Sequence, residues 1–96
     1  MTKVKVKLLA TLSRLAGKEL MEFEVKNRIT LKDLLKTIYY SINDELRERL
    51  FKPNSIELQP DILVLINDVE IGVLNGLNTL LNDGDLIVFL PTVHGG

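Results

Sequence analysis

Asn82-Asp83-Gly84-Asp85-Leu86-Ile87-Val88-Phe89-Leu90-Pro91 reads as a tight turn, an apolar strand and a stop. Asn, Asp and Gly supply the side-chain bonds and backbone freedom of a turn. The apolar run that follows has the composition of a strand, expected over residues 86–90. Pro91 has no N–H to give a ladder, so the regular sheet is expected to end there. Beyond it come Thr92-Val93-His94-Gly95-Gly96. At a usage of about 7%, two closing glycines arise by chance in about one chain in 200. Their position adds meaning: they tip a short segment leaving a last strand. Without a Cβ they let backbone approach another surface closely. The combination suits a carboxylate threaded into a narrow site on another protein.

Upstream, residues 3–8 alternate Lys, Val, Lys, Val, Lys, Leu. That period of two sets Val4, Val6 and Leu8 on one face and the lysines on the other. Residues 21–26 alternate again, with Met21, Phe23 and Val25 inward and Glu22 and Glu24 outward. Antiparallel pairing of the two strands puts those glutamates across from the lysines. Leu12, Leu15, Ala16 and a turn at Gly17 fill a connection longer than a tight turn. Thr30 opens a helix, with Asp33 positioned to reach back to it. Leu31, Leu34, Leu35 and Ile38 form its buried stripe to about Tyr40. Tyr39 and Tyr40 then divide between core and surface. A second helix fits residues 43–51, the charges of residues 44–49 reading as a solvated face. Pro53 and Pro60 bound an irregular segment.

Residues 62–66 are apolar throughout and read as a strand buried on both faces. Asn67-Asp68 turns the chain into a short strand at Val69, Glu70 and Ile71. Residues 74–81 read as a loop or short helical turn, with Leu77, Leu80 and Leu81 as core anchors. The order is strand, strand, helix, strand, short strand, strand. One main helix must cover one face of a mixed sheet of four to five strands, with first and last strands parallel beneath it. This is an α+β chain of the β-grasp, ubiquitin-like kind: a domain over residues 1–90 and a flexible tail over residues 91–96 ending in Gly-Gly.

Composition narrows the function classes. The chain has 96 residues, 46% of them hydrophobic, and a formal net charge of −1. With both signs interleaved there is no basic face for nucleic acid, and Lys3, Lys5 and Lys7 read as a solvated strand face. No apolar run exceeds five residues, too short to span a bilayer. Met1-Thr2-Lys3-Val4-Lys5 lacks the apolar block of a signal peptide, so a cytoplasmic location is expected. Without cysteine there is no disulfide, thiolate metal site or Cys nucleophile. Ser13, Ser41 and Ser55 have no histidine near in sequence, and Gly72 and Gly76 match no nucleotide motif. No metal cluster appears. The chain reads as something acted upon, not as an enzyme.

The Asn82-Asp83-Gly84-Asp85 turn, the apolar strand, Pro91 and the closing Gly95-Gly96 together resemble the ubiquitin-like sulfur carriers. That group includes the molybdopterin synthase small subunit, the thiamine-synthesis carrier, the ubiquitin-related modifiers and archaeal small ubiquitin-like modifiers. Residues 4–17, with Leu12, Leu15 and Gly17, are also similar to the molybdopterin synthase subunit. The ending Val93-His94-Gly95-Gly96 and the run Ile66-Asn67-Asp68-Val69-Glu70 are similar to the ubiquitin-related modifier branch. The chain is longer than a typical molybdopterin synthase subunit, chiefly over residues 40–60.

The resemblance implies a chemistry for Gly96. An E1-like activating enzyme, using ATP and magnesium that this chain does not itself bind, joins the carboxylate to AMP. Sulfur then gives a thiocarboxylate that serves tRNA thiolation, or a lysine amine takes the acyl group. Expected partners are that enzyme and a sulfur-acceptor enzyme or protein targets. Gly95 supplies slimness, and His94 a recognition contact inside the enzyme. Six residues from Pro91 span at most about 20 Å. On the last strand Ile87 and Phe89 share one face; Leu86, Val88 and Leu90 share the other. The latter three are expected to form an apolar docking patch on the sheet face away from the helix, with Ile62, Val64 or Ile66 beside them. The first alternative is the small subunit of molybdopterin synthase, inserting its tail into the large subunit. The second is a non-covalent ubiquitin-like binding module.

Overall fold

The computed structural model describes residues 1–92. β1 (Thr2–Leu8) buries its alternate residues Val4, Val6 and Leu8, as the period of two requires. β2 (Leu20–Val25) runs antiparallel to it, placing Glu24 opposite Lys3 and Glu22 opposite Lys5. The connection is more than a loop. Thr11–Ala16 form a short helix, α1, which buries Leu12 and ends on Gly17 at φ 73°. Gly17 takes this left-handed conformation freely and turns the chain into β2.

α2 (Leu31–Ser41) starts on the expected cap. The Thr30 hydroxyl oxygen accepts from the Asp33 N–H, and Asp33 Oδ2 accepts from the Thr30 N–H at 3.0 Å. Leu31, Leu34, Leu35 and Ile38 are buried along one stripe. Tyr39 packs against the core while Tyr40 stands in solvent. α3 (Asp44–Leu50) is capped by Asn43, whose Oδ1 accepts from the Leu46 N–H at 2.8 Å. Its charges are not a uniformly solvated face. Arg47 lies over the Tyr39 ring and donates to the carbonyls of Tyr39 and Ile42, and Arg49 pairs with Asp61. Both stems lie where the connection from α2 and the segment before β3 fold back on the helix. Two arginines thus become struts between backbone segments.

β3 (Ile62–Ile66), β4 (Val69–Glu70) and β5 (Leu86–Pro91) complete one sheet in the order β2-β1-β5-β3-β4. β5 is parallel to β1 and antiparallel to β3. The result is the expected β-grasp arrangement, with α2 across one face. The core unites Val4, Val6, Leu34, Ile38, Ile87 and Phe89 with the buried leucines of α3. Among the described residues no helix is long and apolar enough to cross a membrane.

Three expectations change here. β3 is not buried on both faces: Val64 and Ile66 are buried while Ile62, Leu63 and Leu65 are half-buried. One face meets the core, and among the described residues the other has no layer over it. Of the three leucines expected to anchor residues 74–81, only Leu81 is buried; Leu77 and Leu80 are 41% and 49% exposed. Two 3₁₀ turns (Ile71–Val73 and Gly76–Asn78) carry this segment along the surface. Third, β5 continues through Pro91. Leu9 N–H donates to Phe89 O, and Thr92 N–H donates to Asp61 O. Odd-numbered residues of β5 therefore direct their backbone groups toward β1, even-numbered ones toward β3. β1 ends at Leu8, so the donor that Pro91 lacks has no strand to serve.

Candidate docking face and tail anchor

β5 divides its side chains between two environments. Ile87 and Phe89 are fully buried in the core. Leu86, Val88 and Leu90 belong to the opposite face, and none of them is part of the core cluster. Directly paired residues of a sheet share a face, so the register fixes their neighbours. Lys5 pairs with Leu86, and Lys7 with Val88. Leu65 pairs with Val88, and Leu63 with Leu90. One further strand out, Leu65 pairs with Glu70. The outer face is thus an apolar patch of five residues, Leu63, Leu65, Leu86, Val88 and Leu90. Lysines border it on the β1 side and Glu70 on the β4 side.

Val88 is only 5% exposed although no helix covers it. It sits between Leu86 and Leu90 along its own strand and between Lys7 and Leu65 across the sheet. The aliphatic stem of a lysine covers apolar surface while its ammonium stays in water. Lys7, paired with Val88, is half-buried, its ammonium 3.5 Å from Glu19. The three predicted residues of β5 are therefore brought together. Their predicted neighbours from β3 are not: Ile62, Val64 and Ile66 pack on the core side. Leu63 and Leu65 take that place. In a strand apolar at every position, hydrophobicity cannot distinguish the two sets. The one signal was the alternation of β-branched residues with leucines.

The turn before β5 is pinned by side chains. Asp85, 7% exposed, accepts from the Asn82 N–H at 2.7 Å and from Asn67 Nδ2 at 2.8 Å. Asn67 Oδ1 accepts from the Leu86 N–H, and Asp83 Oδ1 accepts from the Lys3 N–H. Gly84 adopts φ 87° and donates its N–H to Lys3 O. This network locks the start of β5 to β1 and to the β3–β4 turn.

The other end of β5 has an anchor that sequence reasoning missed. Asp61 O accepts both the N–H and the hydroxyl of Thr92, at 2.8 and 2.9 Å. The Asp61 carboxylate accepts two bonds from Arg49, Nη1 to Oδ1 at 3.1 Å and Nη2 to Oδ2 at 2.6 Å. That bond holds the Arg49 proton above its ordinary range, against the opposing effect of partial burial. A bidentate pair fixes direction as well as distance. An Arg and an Asp twelve positions apart give no sequence signal of such a pairing.

His94, Gly95 and Gly96 lie outside the described residues. Among the described residues no group of three or more His, Asp or Glu is placed to hold a metal ion. A cleft lies by α3, lined by Tyr39, Arg47, Phe51 and Pro53 among others, and touches none of the predicted docking residues.

Comparison with known proteins gives this geometry a context. Residues 3–96 match the model of the Urm1 family, described as ubiquitin related modifier. A ubiquitin-related modifier 1 homolog of Dictyostelium discoideum is 40% identical over 99 residues, covering 98% of this chain and 99% of the relative. The solution structure of small archaeal modifier protein 1 from Methanosarcina acetivorans is similar with a TM-score of 0.83 at 34% identity, covering 100% of this chain and 98% of that one. A Pyrococcus furiosus protein provisionally named molybdopterin converting factor, subunit 1, is similar with a TM-score of 0.74 at 26% identity, covering 97% and 100%.

Proposed function

The chain belongs to the Urm1, or ubiquitin related modifier, family, and on that premise we propose that it works through activation of the Gly96 carboxylate. A free carboxylate is a poor acylating agent. In the proposed sequence an E1-like enzyme supplies ATP and magnesium, and a carboxylate oxygen of Gly96 attacks the α-phosphorus of ATP. Pyrophosphate leaves and an acyl-adenylate remains. A sulfur nucleophile then displaces AMP to yield the thiocarboxylate, which donates sulfur, to a tRNA base among other acceptors. Alternatively a lysine amine of a target takes the acyl group and forms an isopeptide bond. ATP and magnesium belong to the partner, and the reaction takes place in the cytoplasm.

The observation that carries this reading is that the family match runs through residue 96, so Gly95 and Gly96 lie inside it. Two features of the molecule support it. The apolar patch around Val88 gives a partner something to hold, with lysines beside it for orientation. The Thr92 anchor leaves four residues, 93–96, to reach the partner's site, at most about 14 Å when extended. In this reading Leu86, Val88 and Leu90 dock, His94 and Gly95 are recognised within the partner's channel, and Gly96 reacts.

The second reading, a molybdopterin synthase small subunit working with a large subunit, draws on the Pyrococcus furiosus likeness. It ranks lower because that likeness is weaker than the one to the archaeal modifier. The test is the intact mass of the protein purified from its own cells. A replacement of oxygen by sulfur at the C-terminus is expected, with lysine-linked conjugates as the companion product. A free acid in every preparation, together with no conjugate, contradicts the proposal.

A further inference from the structure

Thr92, the last described residue, extends the β3–β5 ladder by one backbone bond and adds a second from its hydroxyl. Its N–H and hydroxyl converge on one acceptor, Asp61 O. The residue before it, Pro91, has no donor to contribute. The carboxylate of Asp61 is in turn gripped by Arg49 through two bonds. Arg49 stands on α3, whose Leu46 and Leu50 are rooted in the core. A backbone bond from Gln59 N–H to Leu50 O, and one from Ile62 N–H to Gln59 O, tie the same segment to the end of α3. An unbroken line of contacts therefore runs from the core through α3, Arg49 and Asp61 to Thr92.

We infer that Arg49 and Asp61 are positioning residues for the C-terminal segment, fixing where residues 93–96 leave the domain and so where Gly96 meets the partner's reacting group. This rests on the reading of Gly96 as the group that is activated. The reason is geometric. If the Thr92 clamp opens, Pro91 has no hydrogen bond of its own to keep it on the sheet, and the strand frays to Leu90. The length of chain beyond the last anchored residue then grows from four residues to six, and its greatest extended span from about 14 to about 20 Å. With the −3/2 power of length, the effective concentration of the carboxylate at a fixed site falls by about twofold. The docking face is untouched, because Leu63, Leu65, Leu86 and Val88 do not depend on Arg49. The loss therefore belongs to the chemical step and not to the affinity of the domain for its partner.

The experiment compares full-length wild type, Arg49→Ala, Arg49→Lys and Thr92→Pro. The last removes both Thr92 donors at a position beyond the strand, so it isolates the clamp if Arg49→Ala fails to fold. One readout is hydrogen exchange of the Thr92 amide, which requires no partner. The other is pyrophosphate exchange catalysed by the activating enzyme of the same cells with ATP and magnesium. The inference expects a protected Thr92 amide in wild type that loses protection in Arg49→Ala. It expects a fall in kcat of about twofold in Arg49→Ala and Thr92→Pro at unchanged KM for the carrier, with partial recovery in Arg49→Lys. Equal kcat in all four proteins, or a rise in KM alone, overturns it while leaving Gly96 activation standing. Wild type that supports no exchange at all removes the Gly96 reading, and the positioning role with it.

Discussion

Ile87 and Phe89 on one face of β5 are sealed beneath α2, whereas Leu86 and Leu90 on the other face are half-buried with no helix over them. Both faces are apolar, so composition does not tell them apart. What differs is the layer above. The inner face meets an amphipathic helix capped at Thr30 and completes a core; the outer face meets lysine stems at one border and Glu70 at another. In the proposed reading the same strand serves stability with its odd positions and recognition with its even ones. Substitutions on the two faces should separate the two properties.

The largest effect belongs to the inner face. Phe89→Ala should lower unfolding stability by about 3–5 kcal/mol in denaturant titrations, because it opens a cavity in a packed core. Below the unfolding transition its affinity for the activating enzyme should match wild type. Leu90→Asp should do the reverse. Its midpoint should shift little, since the side chain is half-buried, while calorimetric affinity for the enzyme should drop by about tenfold, equivalent to about 1.4 kcal/mol. If Leu90→Asp binds as tightly as wild type, the outer face is not a docking face and the comparison breaks.

The smallest effect concerns the helix that makes the inner face what it is. The Asp33 carboxyl is held below its ordinary 3.8 by the hydrogen bond from the Thr30 N–H, then by the Thr30 hydroxyl. A depressed folded-state value means the contribution is present above the unfolded value near 3.8 and is lost as pH falls through the folded value beneath it. Asp33→Ala should therefore cost a few tenths of a kcal/mol to about 1 kcal/mol at neutral pH. It should also flatten the acid limb of a stability-versus-pH curve. A variant whose acid limb matches wild type would show that this cap does not govern the helix.

The parts that sequence made legible are those with a period or a local bond. Alternation set β1 and β2 and the shared outward face of their lysines and glutamates, while the register came from the structure. The spacing of Thr30 and Asp33 announced α2, and Asn82-Asp83-Gly84-Asp85 announced the turn into β5. Where a segment is uniform, the pattern goes silent. Every residue of β3 is apolar, so hydrophobicity could not separate its core-facing set from Leu63 and Leu65. Leu77 and Leu80 carry the same side chain as Leu81, yet only tertiary position buries the last. The six residues of α1 are too short a window for a helical period. Arg47 and Arg49 read as solvated because their acceptors, the Tyr39 and Ile42 carbonyls and Asp61, are fixed by the folding back of separate segments. The outward placement of Leu86, Val88 and Leu90 followed from parity alone. The Thr92 anchor needed the pairing of Asp61 with both ends of its network.

The central claim is that the domain presents one reacting group, the carboxylate of Gly96, to a partner. Removing Gly95 and Gly96 tests it most directly. Terminal segments contribute few packing contacts, so the shortened chain should unfold at the wild-type denaturant midpoint. With the activating enzyme, ATP and magnesium, full-length protein should support pyrophosphate exchange and the shortened one should support none. A shortened chain that folds and still supports exchange would contradict the account.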